Sequence, residues 1–153
     1  MTSHTATKAK QQRVRILIAD DHPAVRKTVR TMLQRHPRFE VCGEAEDGSG
    51  AISEAERLKP DVVVLDVTMP VLNGFEAARG IKNSLPKTPI IMLSANADKG
   101  FVDEAKRIGA RAYVAKTRVG EALVKTIEAA VLDGDFEELS GKRDEERLLH
   151  AIS

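Results

Sequence analysis

The chain has 153 residues, enough for one domain with a real core and too few for two large ones. Its 24 basic and 23 acidic residues nearly cancel, which removes the global field that would draw it to nucleic acid or to a membrane surface. No apolar run approaches the roughly 18 residues of a membrane span, and the N-terminal MTSHTATKAKQQR lacks the apolar middle of a secretory signal, so a cytoplasmic protein is expected.

Residues 1–13 are polar and aperiodic and read as a flexible tail. A regular alternation follows over 14–134. Short β-branched runs at Val14–Ala19, Phe39–Ala45, Asp61–Leu65, Pro89–Leu93 and Arg111–Ala115 predict strands. Cys42, the single cysteine, lies in the second run and reads as a small buried hydrophobe. Helical spacing separates the runs: Val25, Val29 and Leu33; Phe101, Ala105 and Ile108; then Val119, Leu123, Ile127, Ala130 and Val131. Loop signals fall between them at Gly43, Lys59-Pro60, Asn73-Gly74, Leu85-Pro86 and Gly109. Strands alternating with helices predict a doubly wound α/β layer on a five-stranded parallel sheet. Right-handed crossovers would place every strand C-terminus at one edge, where such sheets bind ligands. Residues 135–153 read as a short C-terminal tail, with Leu148, Leu149 and Ile152 able to line a helix from Asp144.

The strand ends carry the chemistry. The first strand runs into Asp20-Asp21, the third ends at Asp66, the fourth at Ser94 and the fifth at Lys116. Taken singly, these are turn, cap or surface residues; Asp21 alone would cap the helix beginning near Pro23. His22 reads as a loop residue, and Tyr113 as a half-buried strand residue with a wet hydroxyl. Taken together at one sheet edge, three carboxylates would repel and push at least one pKa upward. A divalent cation relieves that conflict, and an all-oxygen donor set selects a hard ion such as Mg²⁺. With Ser94 and Lys116 opposite, the constellation suits a phosphoryl group carried on a carboxylate oxygen of Asp66.

Four stretches, ADDHP, VVVLDVTMPVLNGFEAAR, IIMLSA and GARAYVAK, resemble the receiver domain of bacterial two-component response regulators over about Val14 to Gly134. DDHP and the Lys-Thr pair are most similar to the NarL/FixJ type. The resemblance implies the CheY-like (flavodoxin-like) (βα)5 fold with strand order 2-1-3-4-5. It implies that Asp66 accepts a phosphoryl group from a sensor histidine kinase or a phosphotransfer protein. Asp21, Asp66 and the Thr68 carbonyl would ligate Mg²⁺, with Asp20 acting through water. Ser94 and Tyr113 would be the switch pair, Lys116 the phosphate-binding ammonium, and Met69, Pro70 and Gly74 the shapers of the adjoining loop. A downstream protein partner is implied, as is a switch or homodimer face over residues 101–130. Thr117 stands where many receivers have proline, so their cis peptide is not carried over; Thr68 and Asn96 occupy positions that vary in the family and tune phosphoryl lifetime.

The resulting expectation is a phosphorylation-switched module, not an enzyme beyond slow self-catalysed phosphorylation and dephosphorylation. It is not expected to bind nucleic acid directly. The alternatives are a DNA-binding regulator and a haloacid-dehalogenase-like phosphatase. The latter needs a second carboxylate two residues after the first, where this chain has Thr68.

Overall fold

The computed structural model describes residues 13–95, 98–132 and 136–139. In chain order the elements are β1 (Val14–Ala19), α1 (Pro23–Gln34), β2 (Phe39–Ala45), α2 (Gly48–Leu58), β3 (Val62–Asp66), α3 (Gly74–Ser84), β4 (Ile90–Ser94), α4 (Lys99–Arg107), β5 (Ala112–Ala115), a 3₁₀ turn (Lys116–Arg118), α5 (Val119–Ala130) and β6 (Glu137–Leu139). The strands form one sheet in the order β2-β1-β3-β4-β5-β6, and every pairing is parallel. The predicted fold and the order 2-1-3-4-5 are therefore present, with a sixth strand added outside β5.

The central strands read as unbroken apolar runs because both of their faces are covered. Leu17, Ala19, Val63, Leu65, Ile90, Met92 and Tyr113 face α2, α3 and α4. Their chain neighbours Ile16, Ile18, Val62, Val64, Ile91, Leu93, Ala112 and Val114 face α1 and α5, meeting Val29, Leu33, Leu123 and Ile127. A strand's period of two thus splits one sequence between two cores. Among the described residues, no helix is long and apolar enough to cross a membrane.

Local signals set the helix ends. Asn73 and Glu76 form a capping box: Asn73 Oδ1 accepts from the Glu76 amide at 2.9 Å, and Glu76 Oε1 accepts from the Asn73 amide at 3.0 Å. Asp47 caps α2 by accepting from the Gly50 amide at 2.7 Å. Pro23 opens α1, but His22, not Asp21, occupies the N-cap, and no side chain caps that end. The carboxylate of Asp21 therefore serves something other than the helix.

Two further readings change. Cys42 is half-buried, because β2 is an edge strand. Within 135–153, read as a tail, residues 137–139 form β6; the helix expected from Asp144 and the tail over residues 1–12 lie outside the described residues.

Candidate metal and phosphoryl site

Strand order reverses between β1 and β3, since β2 lies on one side of β1 and β3 to β5 on the other. Asp20 follows β1 directly and Asp66 closes β3, so both reach the crevice at the switch point. One ligand-capable atom from each of Asp20, Asp21, His22 and Asp66 lies within 4.8 Å of all the others. Asp20 and Asp66 are 1% and 2% exposed, while Asp21 is partly open to solvent.

Lys116 enters from the end of β5. Its Nζ lies 2.9 Å from Asp20 Oδ2 and 3.2 Å from Asp66 Oδ2. One ammonium cannot neutralise the cluster. Burial, and then the charge of Asp20, push the Asp66 carboxyl up to about 6, against the smaller downward pull of Lys116 and of the Thr68 amide. Burial pulls the Lys116 ammonium down, but its hydrogen bond to Asp20 and the two negative charges outweigh this, so its pKa is raised. Asp20 Oδ2 and Asp66 Oδ2 are buried and share the one Lys116 ammonium, and Asp21 Oδ1 is buried beside His22 Nδ1, so these oxygens keep acceptor capacity to spare. Buried carboxylate oxygens with surplus acceptor capacity form the donor set a hard divalent cation takes. The residues present fit such an ion.

The loop after β3 is built tightly against Asp66. The Thr68 amide donates to Asp66 Oδ1 at 3.2 Å, and the Gly74 amide to the Val67 carbonyl at 2.8 Å. A Cβ at Gly74 would stand 2.1 Å from the Asp66 carbonyl oxygen, so only glycine allows this approach. Between them Val71 has φ 70°, and the Leu72 amide reaches back to the Pro70 carbonyl at 2.8 Å. A β-branched residue in that conformation is strained. Met69 is buried beneath the loop.

Ser94 and Tyr113 form a second group beside the first. Ser94 is one position beyond Leu93, the register partner of Asp66. Tyr113 is 0% exposed, against the expectation of a half-wet phenol. Burial raises its pKa and a side-chain hydrogen bond with Ser94 opposes the rise.

Sequence reasoning passed over two members of the site. His22, read as a loop residue, has its amide 2.8 Å and its Nδ1 3.1 Å from Asp20 Oδ1, with Nδ1 3.0 Å from Asp21 Oδ1. Arg26 donates from Nη1 to the Asp20 carbonyl at 2.6 Å and pairs through Nε with Glu44 at 3.3 Å, locking the turn after β1 to β2. The available signal for His22 was adjacency: a residue directly after two carboxylates on extended backbone is within reach of both. Arg26, one helical turn on, had none.

Residues 16–128 match the model of the response regulator receiver domain. The transcriptional regulatory protein DegU of Brevibacillus brevis is 32% identical over 126 residues, covering 82% of this chain and 53% of that protein. The crystal structure of a LuxR-family two-component response regulator from Aurantimonas sp. SI85-9A1 is similar at a TM-score of 0.80 and 30% identity, covering 93% of this chain and 100% of that one. Vibrio cholerae chemotaxis protein CheY4 is similar at a TM-score of 0.71 and 32% identity, covering 77% of this chain and 98% of that one. The chain spans about half the length of the curated transcriptional regulators it matches.

Proposed function

The chain belongs to the response regulator receiver domain family, and from that premise we propose that Asp66 is its phosphoacceptor, charged by a sensor histidine kinase or a phosphotransfer protein. What carries the reading is the meeting of Asp20, Asp21 and Asp66 with Lys116 at the switch point of the sheet. An oxygen of Asp66 attacks phosphorus, the bond to the donor atom breaks, and the donor leaves with the electron pair. Lys116 faces the charge that builds on the phosphoryl oxygens. Asp20, Asp21, Asp66 and the Thr68 carbonyl are the residues that would hold Mg²⁺. When bound, that ion would supply the positive charge the cluster lacks. Ser94 offers its hydroxyl to the new phosphoryl group and carries Tyr113 with it, since a side-chain hydrogen bond joins the two.

On this reading the chain is a phosphoryl acceptor working in the cytoplasm, with at most slow turnover of its own phosphoryl group. Its output is a change in protein contacts, with a downstream partner or a second copy meeting the face over residues 101–130. The test is labelling by a small phosphodonor: incorporation that requires Mg²⁺ and disappears in Asp66→Asn is expected. Equal labelling of Asp66→Asn would remove the assignment. A second reading, a transcriptional output, draws on the printed names of the relatives. Salt-dependent binding of the purified chain to DNA would favour it.

A further inference from the structure

Strand β6 had no place in the five-stranded expectation, and its contacts are specific. It adds in parallel to the outer edge of β5, pairing Ala112 with Glu137, Tyr113 with Glu138 and Val114 with Leu139. The Glu137 amide enters the ladder on the Arg111 carbonyl at 3.1 Å, and Arg111 Nη2 meets Glu137 Oε1 at 3.4 Å. Phe136 packs against the core on the α2–α4 side, beneath the Lys106 ammonium, which lies 5.4 Å from the ring centroid. Leu139 packs against the opposite core, under α1 and α5. Glu138, 8% exposed, points to the face that Tyr113 shares, and its charge adds to the upward push on the phenol. Three strand residues thus grip the edge from both faces of the sheet, and the middle one lies against Tyr113.

We propose that the outer edge of β5 is a docking surface for a short strand of aromatic–acidic–acidic–aliphatic pattern, filled in cis by Phe136–Leu139, and that its occupancy is linked to the inward position of Tyr113. A three-residue edge strand makes too few backbone bonds to be held as firmly as the central strands, so it opens at a small fraction of the global unfolding cost. With β6 docked, Tyr113 is enclosed by β4, β6 and α4. With β6 released, the phenol gains a free side and a route outward. Linkage makes the relation reciprocal: whatever holds Tyr113 on Ser94 strengthens the docking of β6 by the same factor. Parallel pairing sets Leu139 beside Val114, two residues before Lys116, at the sheet edge that carries Asp66. The link to phosphorylation rests on the reading of Asp66 as acceptor; the docking itself does not.

The chain has one tyrosine and no tryptophan, so its intrinsic fluorescence reports Tyr113 alone. Phe136→Ser/Leu139→Ser removes both apolar anchors, and Leu139→Pro removes an amide donor without touching the core beneath Phe136. Hydrogen exchange of the Glu137 amide, which enters the ladder on the Arg111 carbonyl, shows release of β6 in each variant, and acrylamide quenching is expected to rise toward that of free tyrosine. A released amide with unchanged quenching overturns the link. A wild-type Glu137 amide that exchanges like an unstructured peptide overturns the docking. With acetyl phosphate and Mg²⁺, protection of this amide is expected to rise roughly fivefold in wild type, a modest coupling, and to stay constant in Asp66→Asn. A labelled wild type without added protection refutes the phosphorylation link. An unlabelled wild type refutes the acceptor assignment instead, while amide exchange still decides the docking and the quenching comparison its link to Tyr113.

Discussion

Asp66→Asn in metal-free protein isolates the electrostatic cost of the site. Asn keeps the shape of the carboxyl group and stands in for its protonated form. The carboxyl sits 2% exposed, with its pKa raised from 3.8 to about 6 by burial and by Asp20. At about 1.4 kcal/mol per tenfold change in equilibrium, that rise costs the folded state roughly 3 kcal/mol once Asp66 is ionised. Between 3.8 and about 6 the folded chain binds a proton that the unfolded chain has released. Wild-type stability from this group therefore climbs as pH falls through about 6, and levels off below 3.8. The Asn variant lacks that step. Urea unfolding with a chelator present, at pH 8 and at pH 4, is expected to show the variant more stable by 1 to about 3 kcal/mol at the higher pH, with the gap closing at the lower one. Added Mg²⁺ should then stabilise wild type more than the variant, because the variant has one ligand charge fewer. A variant no more stable than wild type at pH 8, or a gap independent of pH, would refute the claim that like charge and burial dominate here.

Lys116→Met removes the ammonium lying 2.9 Å from Asp20 and 3.2 Å from Asp66; by calorimetry, Mg²⁺ is expected to bind about tenfold tighter as a competing charge departs, while phosphodonor labelling slows. Unchanged affinity would mean that the ammonium and the ion do not share these oxygens. Gly74→Ala sets a methyl 2.1 Å from the Asp66 carbonyl oxygen and 2.8 Å from Val67 Cα, and is expected to cost about 3 kcal/mol in urea unfolding and to impair labelling. Gly120→Ala is its control: the new methyl meets nothing within 4 Å, and a gain of up to about 1 kcal/mol is expected from the helix.

The legible parts of this fold are those where a local pattern and the tertiary environment agree. β1 and β2 fall on the predicted residues, and VVVLD reads as a strand because burial on both sides demands an unbroken apolar run. The acidic strand ends were legible because charge after such a run has few structural uses. β6 was not legible. Its residues, Glu-Glu-Leu, show neither alternation nor β-branching, and they are extended because the β5 edge lies open to them. The same strand explains the error over Tyr113: on an outermost β5 the phenol would be half wet, and with β6 and α4 around it the exposure falls to zero. Cys42 failed in the opposite direction, since β2 has a neighbour on one side alone.

The departures from local rules gather at the C-terminal edge of the sheet. Asp20 and Asp66 are buried as like charges, Val71 is held at φ 70° where a β-branched residue costs about 1 to 3 kcal/mol, and Gly74 presses on the Asp66 carbonyl. At the opposite edge, where the strands begin, the charges lie at the surface: Arg13, Arg38, Asp61 and Lys87 are exposed, and Asp61 accepts from the Arg15 amide at 2.8 Å. Stability is thus withheld at one end of a well-packed domain, in a form that added positive charge and new hydrogen bonds would return. On the proposed reading this bias makes the site responsive, because a loop already strained and a carboxylate already raised in energy need only a few kcal/mol to settle into another arrangement. A cluster of well-satisfied side chains at the same place would hold the fold more firmly and leave a phosphoryl group nothing to change.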